Sequence, residues 1–127
     1  MYVLDASALL AYLNEEPGAD EVEAMLDDAL ISTVNLAEVL QKAANGDIDS
    51  APLASEIARM GVGSVAFDPA MAVIATDLWP KTKHRGLSLA DRACLAVAEA
   101  TDWIVVTTDK AWADLDLPGI NIHLIKR

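Results

Sequence analysis

The sequence predicts an α/β domain built on a short, mainly parallel sheet flanked by helices. Two observations carry this. Short apolar runs of strand length alternate with longer segments of helical periodicity, the order expected of a parallel sheet with crossover helices. Hydrophobic residues make up 54% of the 127 and charged residues 23%, so the chain buries enough apolar surface to offset its conformational entropy, and a disordered protein does not fit. The length suits one domain spanning residues 1–127. Ala occurs 23 times and Phe once, which favours closely packed helices over a bulky aromatic core.

The elements follow in order. Tyr2-Val3-Leu4 is an apolar run closed by Asp5 and reads as the first strand. A helical pattern continues to about Leu13 and breaks at Pro17-Gly18. Residues 19–28 read as an amphipathic helix, with Val22, Met25 and Leu26 on one face. Ala29–Ser32 reads as a short strand. Thr33–Ala44 is helical and stops at Asn45-Gly46, and residues 51–60 form another helix stopped by Gly61. Ser64–Phe67 reads as a buried strand, and Pro69 starts a helix running to about Trp79. Pro80–Gly86 reads as a basic loop. Leu89–Ala100 is a strong helix, Trp103–Thr107 the clearest strand, Trp112 the centre of a helical turn, and Ile120–Ile125 the last strand.

Composition excludes several classes. No uncharged stretch exceeds nine residues, whereas a membrane-spanning helix needs about 20 apolar ones. The N-terminus lacks the basic region of a secretory signal, and Cys94 is the only cysteine, so a reducing cytoplasm is the expected compartment. The net charge is −11, and it is uneven: residues 1–80 hold 14 acids and 2 bases, residues 81–127 hold 6 acids and 7 bases. So acidic a chain is a poor generic nucleic-acid binder, because phosphate contacts depend on Lys and Arg. Any nucleic acid must be met locally.

Asp5 and Asp109 each stand where a predicted strand hands over to a helix, and ligands of parallel sheets bind beyond the strands' carboxyl ends. Glu38 and Asp91 lie near helix starts among apolar neighbours. Singly, each has a structural explanation: Asp5 and Asp109 as N-caps, Asn35 with Glu38 and Ser88 with Asp91 as capping boxes. Jointly, four carboxylates at one sheet edge would repel one another, and such clusters imply a cation. Oxygen-only ligands suit Mg²⁺ or Mn²⁺, which commonly serve phosphoryl chemistry.

Four stretches, Val3-Leu-Asp-Ala-Ser7, Asn35-Leu-Ala-Glu38, Leu87-Ser-Leu-Ala-Asp-Arg-Ala-Cys-Leu-Ala96 and Val106-Thr-Thr-Asp-Lys-Ala-Trp112, together resemble the PIN-domain ribonucleases. More narrowly they resemble VapC-type toxins of type II toxin–antitoxin pairs. The resemblance covers essentially the whole chain. It implies a three-layer PIN-like α/β fold, with metal-site acids at Asp5, Glu38, Asp91 and Asp109, and with Ser7, Thr107 and Asn35 in support. It implies a Mg²⁺- or Mn²⁺-dependent endoribonuclease cutting transfer or ribosomal RNA to 5′-phosphate and 3′-OH ends. It also implies a VapB-type antitoxin as partner and a homodimer. Lys81, Lys83 and Arg85, with Arg92, form the only dense basic stretch and are expected to hold RNA beside the acids, unless they are simply a solvated face. Trp79 is expected in the core or at a dimer interface, Trp103 and Trp112 in the core, and Cys94 as a buried small hydrophobe.

The rival enzyme classes lack their own motifs. A Mg²⁺-dependent phosphate-accepting receiver domain needs adjacent acids after the first strand, and a dehalogenase-like phosphatase needs Asp-x-Asp there; this chain has Asp5-Ala-Ser7. A PIN-like protein that only binds a partner is the non-enzymatic alternative, and the intact set of four acids argues against it.

Overall fold

A computed structural model describes residues 1–126. Five strands, β1 (Tyr2–Leu4), β2 (Ala29–Ser32), β3 (Gly63–Val65), β4 (Ile104–Thr107) and β5 (Ile122–Leu124), form one wholly parallel sheet in the order β3-β2-β1-β4-β5. The central strands β1 and β4 are continuous apolar runs because both their faces are covered. Val3, Leu4, Val105 and Val106 are all fully buried.

The two faces take alternate residues of each strand. Leu4, Ile31 and Val106 join one core with Ala8 and Leu9 of α1 (Ala6–Leu13), Val22 of α2 (Ala19–Glu23), Val39 of α3 (Thr33–Asn45) and Ile57 of α4 (Ser50–Arg59). Val3 and Val105 join the other with Cys94, Leu95 and Val97 of α7 (Leu89–Thr101) and with Trp112; Ile74 of α5 (Pro69–Asp77) packs against it. The result is the expected three-layer α/β arrangement. Among the described residues no helix is long and apolar enough to cross a membrane.

Four elements differ from the sequence reading. The helix expected over 19–28 ends at Glu23, and a 3₁₀ turn over Leu26–Asp28 follows; Met25 and Leu26 are both buried as the chain turns into β2. The strand expected over Ser64–Phe67 starts one residue earlier and ends two earlier, at Gly63–Val65 on the sheet edge, where it is only partly buried. The last strand is shortened to Ile122–Leu124 at the opposite edge. The basic loop is ordered as α6 (Trp79–Thr82) and a 3₁₀ turn over Lys83–Arg85. Pro80 sits in the first turn of α6, where its missing N–H costs nothing, and the Thr82 hydroxyl donates to the Leu78 carbonyl at 2.9 Å.

Strand order reverses at β1, with β2 and β3 on one side and β4 and β5 on the other. The crevice beyond the carboxyl ends of β1 and β4 is therefore the topological switch point, the preferred ligand position in open parallel sheets.

Candidate active site

Asp5 directly follows β1 and is 6% exposed. Its Oδ1 accepts from the Ala8 N–H at 3.0 Å and caps α1, so the capping role is real. Its Oδ1 also accepts from the Ser7 hydroxyl at 2.6 Å, and its Oδ2 from the Thr107 hydroxyl at 2.7 Å. Each hydroxyl has one proton, and both protons go to Asp5. The hydroxyl oxygens in turn accept backbone N–H groups: Thr108 donates to Ser7 at 3.0 Å and Asp109 to Thr107 at 3.0 Å. The Asp5 N–H donates to the Val106 carbonyl at 3.1 Å. One carboxylate thus ties the end of β1 to the end of β4, and Ser7 and Thr107 hold it in a single orientation.

Asp109 caps the short turn over Lys110–Trp112, its Oδ1 accepting from the Ala111 N–H at 2.9 Å. Asp91 lies in the first turn of α7. There the capping box forms as expected: the Asp91 N–H donates to the Ser88 hydroxyl at 3.1 Å, and the Ser88 N–H donates to Asp91 Oδ2 at 2.9 Å. Glu38 lies in α3. The box expected for Asn35 and Glu38 is absent, because Ser32 takes the capping position of α3 and accepts from the Val34 N–H at 3.2 Å. Asn35, 1% exposed, instead bridges two elements: its Nδ2 donates to Glu38 Oε1 and to the Ala90 carbonyl at the start of α7, each at 3.0 Å. Among the described residues its buried Oδ1 has no hydrogen-bond partner.

Asp5, Glu38, Asp91 and Asp109 line one cavity of about 170 Å³, together with Ser7, Asn35, Leu10 and Lys42. The hydrogen bonds leave open Glu38 Oε2, Asp91 Oδ1 and Asp109 Oδ2. Four carboxylates, with no thiol and no imidazole in the lining, make a donor set that fits a hard divalent cation. Among the described residues no three of these ligands are drawn close enough to grip an ion as they stand. The fit therefore lies in the donor chemistry. Burial pushes the Asp5 carboxyl above its ordinary range against the pull of its three hydrogen bonds, and the Asp91 charge adds to the rise. Behind the cavity, burial pushes the Cys94 thiol well up, with the acids contributing, so it is inert as expected.

The basic residues stand apart from the cavity lining. Lys81 and Lys83 are exposed, with the Lys83 ammonium 5.0 Å over the Trp79 ring. Arg85 pairs with Asp114. Arg92, half-buried, donates to the Ala75 carbonyl at 2.9 Å and so joins α7 to α5. Trp112 is core as expected and Trp103 is half-buried, but Trp79 is 49% exposed and is no core residue. His84 and His123 are exposed and lie outside the cavity. Lys42 went unrecognised in the sequence, although the spacing Glu38-x-x-x-Lys42 places both side chains on one helix face.

The fold agrees with comparison to known proteins. The PIN domain family matches residues 2–117, and the chain belongs to that family. It is similar in fold to a toxin–antitoxin complex from Klebsiella pneumoniae, with TM-score 0.73 and 20% identity over 94% of this chain and 95% of that one. A DNA-bound VapBC from Salmonella typhimurium gives TM-score 0.70 and 19% identity over 98% of each chain. FitAcB from Neisseria gonorrhoeae gives 0.68 and 23% over 96% of each. No curated protein matches the chain significantly.

Proposed function

We propose that the protein is a divalent-metal-dependent endoribonuclease of the VapC toxin type, restrained by a small VapB-type antitoxin. The observation that carries this reading is the meeting of Asp5, Glu38, Asp91 and Asp109, from four separated stretches of sequence, around one cavity at the switch point of the sheet. The similar folds include toxin–antitoxin complexes, which supports the partner. A homodimer acting in the cytoplasm, as one domain over residues 1–127, completes the reading.

The four acids are the residues that would hold Mg²⁺ or Mn²⁺. A divalent ion bound there supplies an acidified water and offsets charge on the phosphoryl oxygens. The protein's own part is positional. Ser7 and Thr107 fix Asp5, Asn35 fixes Glu38 against α7, and Ser88 fixes Asp91. Such supporting contacts commonly matter about 10–100-fold in metal affinity or activity. Hydrolysis by water bypasses the RNA 2′-OH, so the products carry 5′-phosphate and 3′-OH ends. Lys81, Lys83, Arg85 and Arg92 form the basic flank proposed to meet the RNA, of the transfer or ribosomal class. Neutralising Lys81, Lys83 and Arg85 together should weaken binding and flatten its salt dependence; an unchanged slope removes them from the RNA path.

The direct test is cleavage of total and transfer RNA by antitoxin-free protein in Mg²⁺, Mn²⁺ and EDTA, beside an Asp5→Asn/Asp91→Asn variant purified identically. Discrete cuts that need metal and vanish in the variant establish the activity. Equal cleavage by both proteins signifies a contaminating nuclease. No cleavage by either, with no metal bound in a calorimetric titration, leaves a protein that only binds its partner.

A further inference from the structure

Lys42 is the one basic residue among those lining the acid cavity. It lies on α3, one turn beyond Glu38, and its side chain is exposed. The ion pairs among the described residues are Arg59–Glu56, Arg85–Asp114 and His123–Glu21; Lys42 is in none of them, although four carboxylates line the same cavity. It is also one of only two bases in residues 1–80, and the other, Arg59, is already held by Glu56.

Its position relative to the surface relief adds to this. The acid cavity is adjoined by a groove of about 450 Å³ whose walls include Leu13, Ile48 and Leu53 of the α1, α3 and α4 region. Leu10 and Lys42 line both depressions. Lys42 therefore stands where the two depressions meet. Lys81, Lys83 and Arg85 line neither depression.

We propose that Lys42 contacts a backbone phosphate of the RNA strand where it leaves the acid cavity, and so positions the substrate across the four acids. This rests on the ribonuclease reading. A polyanion approaching a cavity walled by carboxylates is repelled unless a cation offsets the phosphate next to the one being cut. Lys42 supplies that offset from the protein itself, whether or not a metal ion is bound.

The test compares wild type, Lys42→Ala, Lys42→Arg and, as a remote control, Arg59→Ala. Binding of a short single-stranded phosphorothioate RNA is followed by fluorescence anisotropy over a salt series, in Mg²⁺ and in EDTA. Cleavage of the unmodified RNA gives KM and kcat. Lys42→Ala should weaken binding about 3–10-fold at low salt and reduce the magnitude of the salt slope by about 0.7, the value of one phosphate contact on a single strand. KM should rise by a similar factor while kcat stays within about twofold, since the contact is equal in ground and transition states. Lys42→Arg should restore both, and Arg59→Ala should change neither. If wild type binds and cleaves RNA but Lys42→Ala keeps its slope and KM, the Lys42 assignment is wrong and the ribonuclease reading stands. A lowered melting temperature with an unchanged slope would make Lys42 a helix-end residue only. Loss of antitoxin binding without loss of RNA binding would give the contact to the protein partner instead. Wild type that binds no RNA overturns both readings.

Discussion

Both oxygens of Asp5 accept a hydroxyl proton, yet burial still pushes its carboxyl up, and the Asp91 charge adds to the rise. A folded-state pKa above the unfolded value means the folded, metal-free protein holds that proton more tightly than the unfolded chain. Metal-free stability therefore falls as pH rises from the ordinary Asp range, about pH 4, through the raised value, and the loss is complete above it. Asp5→Asn removes this liability and keeps the acceptor for the Ala8 N–H. In EDTA at neutral pH the variant should be more stable than wild type by denaturant unfolding, with the gap closing in acid. Equal stability at both pH values would show that Asp5 is not strained by its site. Thr107→Val should have the opposite character. It removes the donor to Asp5 and the acceptor for the Asp109 N–H while keeping the side-chain shape, so metal affinity or cleavage should drop about 10–100-fold. Thr107→Ser should recover most of it. Calorimetric metal titration and single-turnover cleavage measure the two effects separately.

Helix α7 shows how an element carries a site. Its N-terminus is fixed by the Ser88–Asp91 capping box, and Ala93, Cys94, Leu95, Ala96, Val97 and Ala98 are all buried behind it. Small side chains let this helix sit between α5, α3 and the sheet. Ser88→Ala should cost about 1 kcal/mol of stability and also loosen Asp91, so unfolding and metal affinity should worsen together. Unfolding that worsens alone would separate the cap from the site. Gly61, after α4, has φ +101°, and an added Cβ would lie 2.9 Å from the Asp27 Cα, backbone that cannot yield. Gly61→Ala should cost about 1–3 kcal/mol in the same assay. The strands β1, β2 and β4 were legible in the sequence because central parallel strands are unbroken apolar runs. The helical form of Trp79–Arg85 was not, since its Pro and its bases read as loop residues; Thr82 is fully buried there, and its hydroxyl donates back to the Leu78 carbonyl. Nor was the role of Asn35: its spacing to Glu38 matches a cap, and only the packing of α3 on α7 gives it a second partner, the Ala90 carbonyl, across the interface.

On the scale of the whole molecule, with its charge of −11, the proposed cation would offset the cluster of acids. A divalent ion at about 100 times its Kd should stabilise the fold by about 2.7 kcal/mol if it binds only the folded state. Thermal melts in Mg²⁺ against Ca²⁺ and EDTA, repeated on Asp5→Asn, give the measurement; an equal gain in the variant would place the ion elsewhere. The individual acids were legible at the ends of predicted strands and helices, but their meeting in one cavity was expected only from the family resemblance, since it depends on strand order, which local sequence does not encode. That order also has a consequence for synthesis. β1 pairs with β2 on one side and β4 on the other, but the Thr107 hydroxyl that orients Asp5 comes roughly a hundred residues later. A nascent chain stopped before Asp91 carries Asp5 and Glu38 with neither of the other two acids. The set of four acids is thus complete only once Asp109 has been made, and on the proposed ribonuclease reading a shorter nascent chain lacks that set beside the RNA machine that makes it.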